Sequence, residues 1–168
     1  MEHSSETAGI RIRDCTPDDR DAMLQCIREL QDTERALDPR LPPGGRIADT
    51  YLAELEANRA RWAGRLLIAQ LDARVLGFAS IFTAVPFDSA DDPAGSYALV
   101  GDLVVRAPAR GRGIGQALLR EAERIARAAG AGELRVNALA ANASANRVYH
   151  AAGFEPYIVT HRRLLRAD

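Results

Sequence analysis

Apolar residues along this chain follow two rhythms, and the switches between them mark the elements. Ile10-Arg11-Ile12-Arg13 alternates, which predicts a short first strand. Thr16-Pro17-Asp18-Asp19 has the chemistry of a helix start, with Thr16 as the cap, proline at the first helical position and acids in the first turn. Met23, Cys26, Ile27 and Leu30 then recur at helical spacing. Leu41-Pro42-Pro43-Gly44-Gly45 breaks the chain, and Ala48, Tyr51, Leu52 and Leu55 share one face of a second helix. Residues 66–71 and 75–83 are apolar runs joined by Asp72-Ala73-Arg74, the pattern of an antiparallel hairpin.

After a polar, acidic loop at 86–96, residues 97–105 are apolar except for Gly101 and Asp102, as befits a central strand covered on both faces. Arg110-Gly111-Arg112-Gly113-Ile114-Gly115 leads into an amphipathic helix through Ala117, Leu118, Ala122, Ile125 and Ala129, stopped by Gly130. Residues 133–139 read as a strand, 142–152 as a short helix ended by Gly153, and 154–165 as a last strand. The order is β-α-α-β-β-β-α-β-α-β. It implies a layered mixed α/β (α+β) sheet with helices on both faces. No repeat or second domain interrupts it, so residues 9–168 read as one domain behind a disordered tail at 1–8.

Composition adds few constraints. The 168 residues are 47% hydrophobic and 27% charged, with a net charge of −1. That balance gives no electrostatic case for a nucleic-acid partner. No run approaches the roughly 20 apolar residues of a membrane span, so no membrane partner is expected. All 22 basic residues are arginine. With no lysine, any phosphate must be held by backbone N–H groups or guanidinium groups. Cys15 and Cys26 are too few and wrongly spaced for a metal or redox site. No metal is expected, and residues 1–8 lack the apolar core of a signal peptide, so the expectation is cytoplasmic.

The strongest local feature is the strand, glycine loop and helix from 97 to 130. The first turn of a helix leaves N–H groups without intrahelical partners, and its dipole adds partial positive charge. Glycines let the backbone approach an anion, and Arg110 and Arg112 add forked donors. The unit is a phosphate-binding device. A nucleotide P-loop is excluded because it needs lysine, and a dinucleotide loop fits poorly because Gln116 stands where its third glycine belongs.

The Arg-x-x-Gly-x-Gly spacing from Arg110 to Gly115 resembles the pyrophosphate loop of the GNAT superfamily of N-acetyltransferases. Asp102-Leu103-Val104-Val105 and the later Asn142-x-x-Ala145-x-x-x-Tyr149-x-x-x-Gly153-Phe154 are also similar to the family's pattern. The resemblance implies a central, mostly antiparallel mixed sheet and acetyl-CoA as cosubstrate. It implies that Arg110, Gly111, Arg112, Gly113, Ile114 and Gly115 hold the diphosphate. Leu103, Val104 and Val105 would bond the pantetheine arm through their backbones, where their strand splays from the next. Asn142 would reach the same arm, and Tyr149 would protonate the departing thiolate.

The residue that takes the amine's proton is harder to name. Asp102 is the first candidate, acting directly or through water, and Glu133 is a weaker one. His150 and His161 rank below both. Cys15 and Cys26 read as core residues, which favours direct transfer over an acyl-cysteine. Asp88, Asp91 and Asp92, and the aromatic Tyr51, Trp62 and Phe87, are candidates to flank the acceptor. The expected reaction moves an acetyl group to a primary amine of an unidentified small molecule or peptide, in a monomer or homodimer. A non-catalytic acyl-CoA sensor is the alternative.

Overall fold

The computed structural model describes residues 9–165, so the expected tail at 1–8 lies outside the described residues. In chain order the elements are β1 (Arg11–Asp14), a 3-10 turn (Pro17–Asp19), α1 (Arg20–Leu37), α2 (Gly44–Arg61), β2 (Gly64–Leu71), β3 (Arg74–Pro86) and β4 (Ser96–Val105). A second 3-10 turn (Ala107–Ala109) precedes α3 (Ile114–Ala128), β5 (Leu134–Val136) and α4 (Ala143–Ala151). The sheet runs β1-β2-β3-β4-β5, antiparallel throughout except for β5, which lies parallel to β4.

Period-two alternation divides the strands between two cores. Leu66 and Ile68 of β2 and Phe78 and Phe82 of β3 face α1 and α2, where they meet Met23, Ile27, Leu52 and Leu55. Leu67 and Ala69, with Ala79 and Ile81, face the other way and meet Ile114, Leu118, Ala122 and Ile125 of α3. Helices therefore cover both faces, as the element order implies.

The start of α1 follows the Thr16–Asp19 signature. The Asp19 carboxylate accepts hydrogen bonds from the Thr16 backbone N–H at 2.8 Å and from the Arg13 guanidinium at 2.6 and 2.7 Å. Gly44 opens α2 where a β-carbon would sit 2.5 Å from the Arg28 carbonyl oxygen, so only glycine lets the two helices cross this closely.

The C-terminal expectations need correction. The strand expected over 133–139 is confined to Leu134–Val136, which pairs with Ala98–Val100 and no further. The last strand expected over 154–165 does not form: residues 154–165 carry no strand, although Tyr157-Ile158-Val159 is a β-prone run. A strand exists only where a neighbour supplies its ladder of hydrogen bonds, and a three-residue β5 offers little to pair with. The segment is tied by side chains instead. The Arg135 guanidinium lies 4.9 Å from the centre of the Tyr157 ring, and Arg162 bonds Asp38 at 2.7 Å.

Candidate active site

A bulge in β4 shapes the site. Ser80 of β3 stands opposite Asp102 while Ile81 stands opposite Val100, leaving Gly101 as the extra residue. Ala98 and Val100 therefore pack toward α3, whereas Asp102 joins Ser80 on the α1–α2 face. A β-carbon at Gly101 would lie 2.7 Å from both Ser80 Oγ and Phe82 Cε2, so the bulge requires its glycine.

Asp102 is thereby buried at 5% exposure with both carboxylate oxygens engaged. The Tyr51 hydroxyl of α2 donates to Oδ1 at 2.6 Å, and the Ser80 hydroxyl donates to Oδ2 at 2.7 Å. The Asp102 backbone N–H returns a bond to Ser80 Oγ at 2.8 Å. Burial raises the Asp102 pKa above the ordinary carboxylate value, and the two hydroxyl donors oppose that rise. Burial likewise raises Tyr51 well above an ordinary phenol, reinforced by the charge of Asp102. An open cavity of about 160 Å³ lies against this pair, lined among others by Tyr51, Glu54, Trp62, Phe82 and Asp102.

The pairing of β4 with β5 stops at Val100 and Val136. Leu103, Val104 and Val105 lie beyond it, and the β4 edge facing β5 has no ladder partner there. This is the splay expected between these two strands. On the α3 side of the same stretch, Gly115 lies within van der Waals reach of Leu103, Val105 and Val148, and a β-carbon added to it would sit 3.6–3.9 Å from their atoms.

The glycine loop has the geometry its sequence requires. Gly111 and Gly113 take φ of +78° and +73°, the left-handed region that glycine enters without steric cost. Gly113 is the N-cap of α3, and no side chain caps that end. The first α3 amides are thus left without side-chain acceptors. A β-carbon on Gly111 would meet nothing within 4 Å. Among the described residues, neither Arg110 nor Arg112 is ion-paired, while Arg110 Nε donates to the Val105 carbonyl at 3.0 Å. Open backbone, uncapped amides and two arginines without counter-ions suit a diphosphate.

Tyr149 of α4 is half-buried and packs edge-on against Phe154, with ring centroids 6.1 Å apart. Its pKa is pushed up to about 12, chiefly by burial and then by the negative charges of Asp102 and Glu34. It is therefore protonated at neutral pH, and no hydrogen bond engages its hydroxyl among the described residues. Asn142 caps α4, its Oδ1 accepting from the Ala145 N–H at 3.0 Å. Gln116 ties α3 to α4 by donating to the Val148 carbonyl at 2.9 Å.

Other candidates from the sequence lie elsewhere. Glu133 is exposed and paired with Arg135 at the surface. His150 and His161 are exposed. Cys15 and Cys26 have thiols pushed up to about 11 by burial, the state of packed, protonated residues. Asp91 and Asp92 bond Ser89 within their own loop, and Asp88 is exposed. Phe87 stacks with Tyr97 and the Arg135 guanidinium rather than lining the cavity.

Two participants escape a sequence reading. Ser80 is a small hydroxyl set among apolar neighbours in its strand. Glu34 follows Ile27 and Leu30 at helical spacing, so an acid stands on the buried stripe of α1. Its carboxylate is half-buried, and its pKa is raised by burial and by Asp102.

Comparison with known proteins agrees with this geometry. The family profile described as the acetyltransferase (GNAT) family matches residues 27–154. The chain belongs to that family and is an acyltransferase. No curated protein gives a match to its sequence. Among solved structures it is similar to a transcriptional regulator from Bacillus halodurans, with a TM-score of 0.69 and 19% identity over 93% of this chain and 99% of the other. It is also similar to a Trypanosoma brucei acetyltransferase, with a TM-score of 0.59 and 22% identity over 95% and 99%. A third similar structure is an aminoglycoside antibiotic 6'-N-acetyltransferase from Acinetobacter haemolyticus, with a TM-score of 0.69 and 14% identity over 94% and 99%. At these identities the likeness is one of fold.

Proposed function

We propose that this protein transfers the acetyl group of acetyl-CoA directly to a primary amine of a small molecule or peptide. The observation that carries the reading is the placement of two features at either end of one strand-to-helix unit. The uncapped α3 amides with Gly111 and Gly113 stand after β4, and Asp102 stands on β4 itself. Arg110, Arg112 and the backbone from Gly111 to Gly115 hold the diphosphate of the coenzyme. The unpaired edge of Leu103, Val104 and Val105 receives its pantetheine arm, and Asn142 approaches the same arm from the start of α4. When bound, acetyl-CoA supplies an activated acetyl thioester and a thiol leaving group.

The chain's own residues manage the protons. Tyr149 keeps its phenolic proton at neutral pH and donates it to the departing sulfur. Asp102 accepts the proton that the amine loses. Its raised pKa brings a carboxylate closer to the range in which a base works near neutral pH. The raised thiol pKa values of Cys15 and Cys26 support direct transfer without an acyl-cysteine.

The test is thiol release from acetyl-CoA over a panel of aliphatic, aromatic and peptide amines. Amine-dependent release is expected. Saturable acetyl-CoA binding without release for any amine would replace this reading with that of a coenzyme sensor.

A further inference from the structure

Asp102 borders the open cavity but offers an acceptor little surface. It is 5% exposed, and each of its oxygens already accepts a hydroxyl proton. Of its two partners, Ser80 is wholly buried, whereas Tyr51 is half-buried and lines the open cavity beside it. Tyr51 also lines the adjoining cavity between α1 and α2, so its phenol edge borders both spaces. From the geometry we infer that Tyr51 is a catalytic residue, the hydroxyl that contacts the acceptor amine and relays its proton to Asp102. This inference rests on the acetyl-transfer reading.

The step balances without a further reactant. The amine nitrogen bonds to the thioester carbonyl carbon, and the proton released from that nitrogen passes to Tyr51 Oη. The Tyr51 proton moves along its 2.6 Å hydrogen bond to Asp102 Oδ1, and the carbon–sulfur bond breaks as Tyr149 protonates the sulfur. Tyr51 begins and ends as a neutral phenol. That suits a hydroxyl beside a carboxylate, where a phenolate would be strongly disfavoured. Solvent then removes the proton from Asp102 and restores the one on Tyr149.

The groups facing this pair come from every surrounding element. They are Glu34 of α1, Glu54 of α2, Ser80 of β3 and Tyr149 of α4. Arg46 of α2 lines the adjoining cavity together with Tyr51 and Glu54, so the carboxylates of Glu34 and Glu54 share the surroundings of the pair with one guanidinium. Glu34, whose carboxylate has no hydrogen-bond partner among the described residues, adds negative charge near Asp102 and Tyr51.

Two variants separate relay from scaffold. Both Tyr51→Phe and Ser80→Ala remove a hydrogen bond that lowers the Asp102 pKa, so both shift the acidic limb of the kcat profile to higher pH. Only Tyr51→Phe removes the relay. With the most active amine from a panel of putrescine, tyramine and an alanyl peptide, Ser80→Ala should lose less of the wild-type plateau above that limb than Tyr51→Phe does. Tyr51→Phe should lower the plateau by about tenfold or more, with acetyl-CoA still raising its Tm as in wild type. A Tyr51→Phe plateau equal to wild type overturns the relay, as does an equal loss in both variants. Absence of turnover in the wild type with every amine overturns the acetyl-transfer reading itself.

Discussion

In the proposed reaction Tyr149 and Tyr51 take two roles that their surroundings set apart. Tyr149 packs against the α3-side core and its hydroxyl has no hydrogen-bond partner among the described residues, which suits a proton donor. Tyr51 is already a donor to Asp102 at 2.6 Å, which suits a relay. Tyr149→Phe should slow turnover by about ten- to a hundredfold while leaving acetyl-CoA affinity nearly unchanged. Steady-state kinetics with a calorimetric titration of the same variant checks this, and full activity would remove the acid role. Asp102 and Tyr149 are legible in the sequence because they sit inside recognisable motifs. The partners of Asp102 are not. Ser80 and Tyr51 are separated from it by 22 and 51 positions, and only the bulge at Gly101 turns Asp102 onto their face. A one-residue change of strand parity leaves no mark on hydrophobic periodicity beyond an isolated glycine.

The three loop glycines do unequal work within the unit that joins β4 to α3. Gly111 and Gly113 occupy left-handed backbone, whereas Gly115 lies inside the helix with ordinary space around its α-carbon. Gly115→Ala should therefore fold and gain about 0.5–1 kcal/mol from helix propensity. Urea unfolding measures that gain, and a large loss would show that the 3.6 Å approach to Val148 is tighter than it reads. The loop was legible because left-handed turns and close anion approach both select glycine. The extent of β5 was not. Residues 133–138 alternate polar and apolar, but pairing depends on where β4 runs alongside.

At the scale of the whole molecule, two helical layers and an antiparallel sheet follow from the order of periodic segments. The strand expected at 154–165 fails because β-prone residues state a preference and not whether a neighbour is there to pair with them. Stability should carry an acid-sensitive component from Asp19, which joins β1 to the start of α1. Its carboxyl is held down to about 2 by the Arg13 guanidinium and the Thr16 donors. An unfolded aspartate titrates near about 4. The folded value is depressed, so this contribution is present above about pH 4 and is lost as pH falls toward 2. Asp19→Asn should cost roughly 1–2 kcal/mol at pH 7 and flatten the decline in this window. Urea midpoints across pH check both, and an unchanged decline would contradict the assignment.

In the proposed reaction the start of α3 grips a diphosphate and so directs a thioester toward Asp102 and Tyr51. Calorimetric titration of acetyl-CoA into wild type and Gly113→Glu tests that most directly. At Gly113 the new side chain brings bulk and negative charge into a backbone held at φ +73°. Saturable binding by the wild type and a loss of about a hundredfold or more in a folded Gly113→Glu variant are expected. Equal affinities in the two proteins would contradict it.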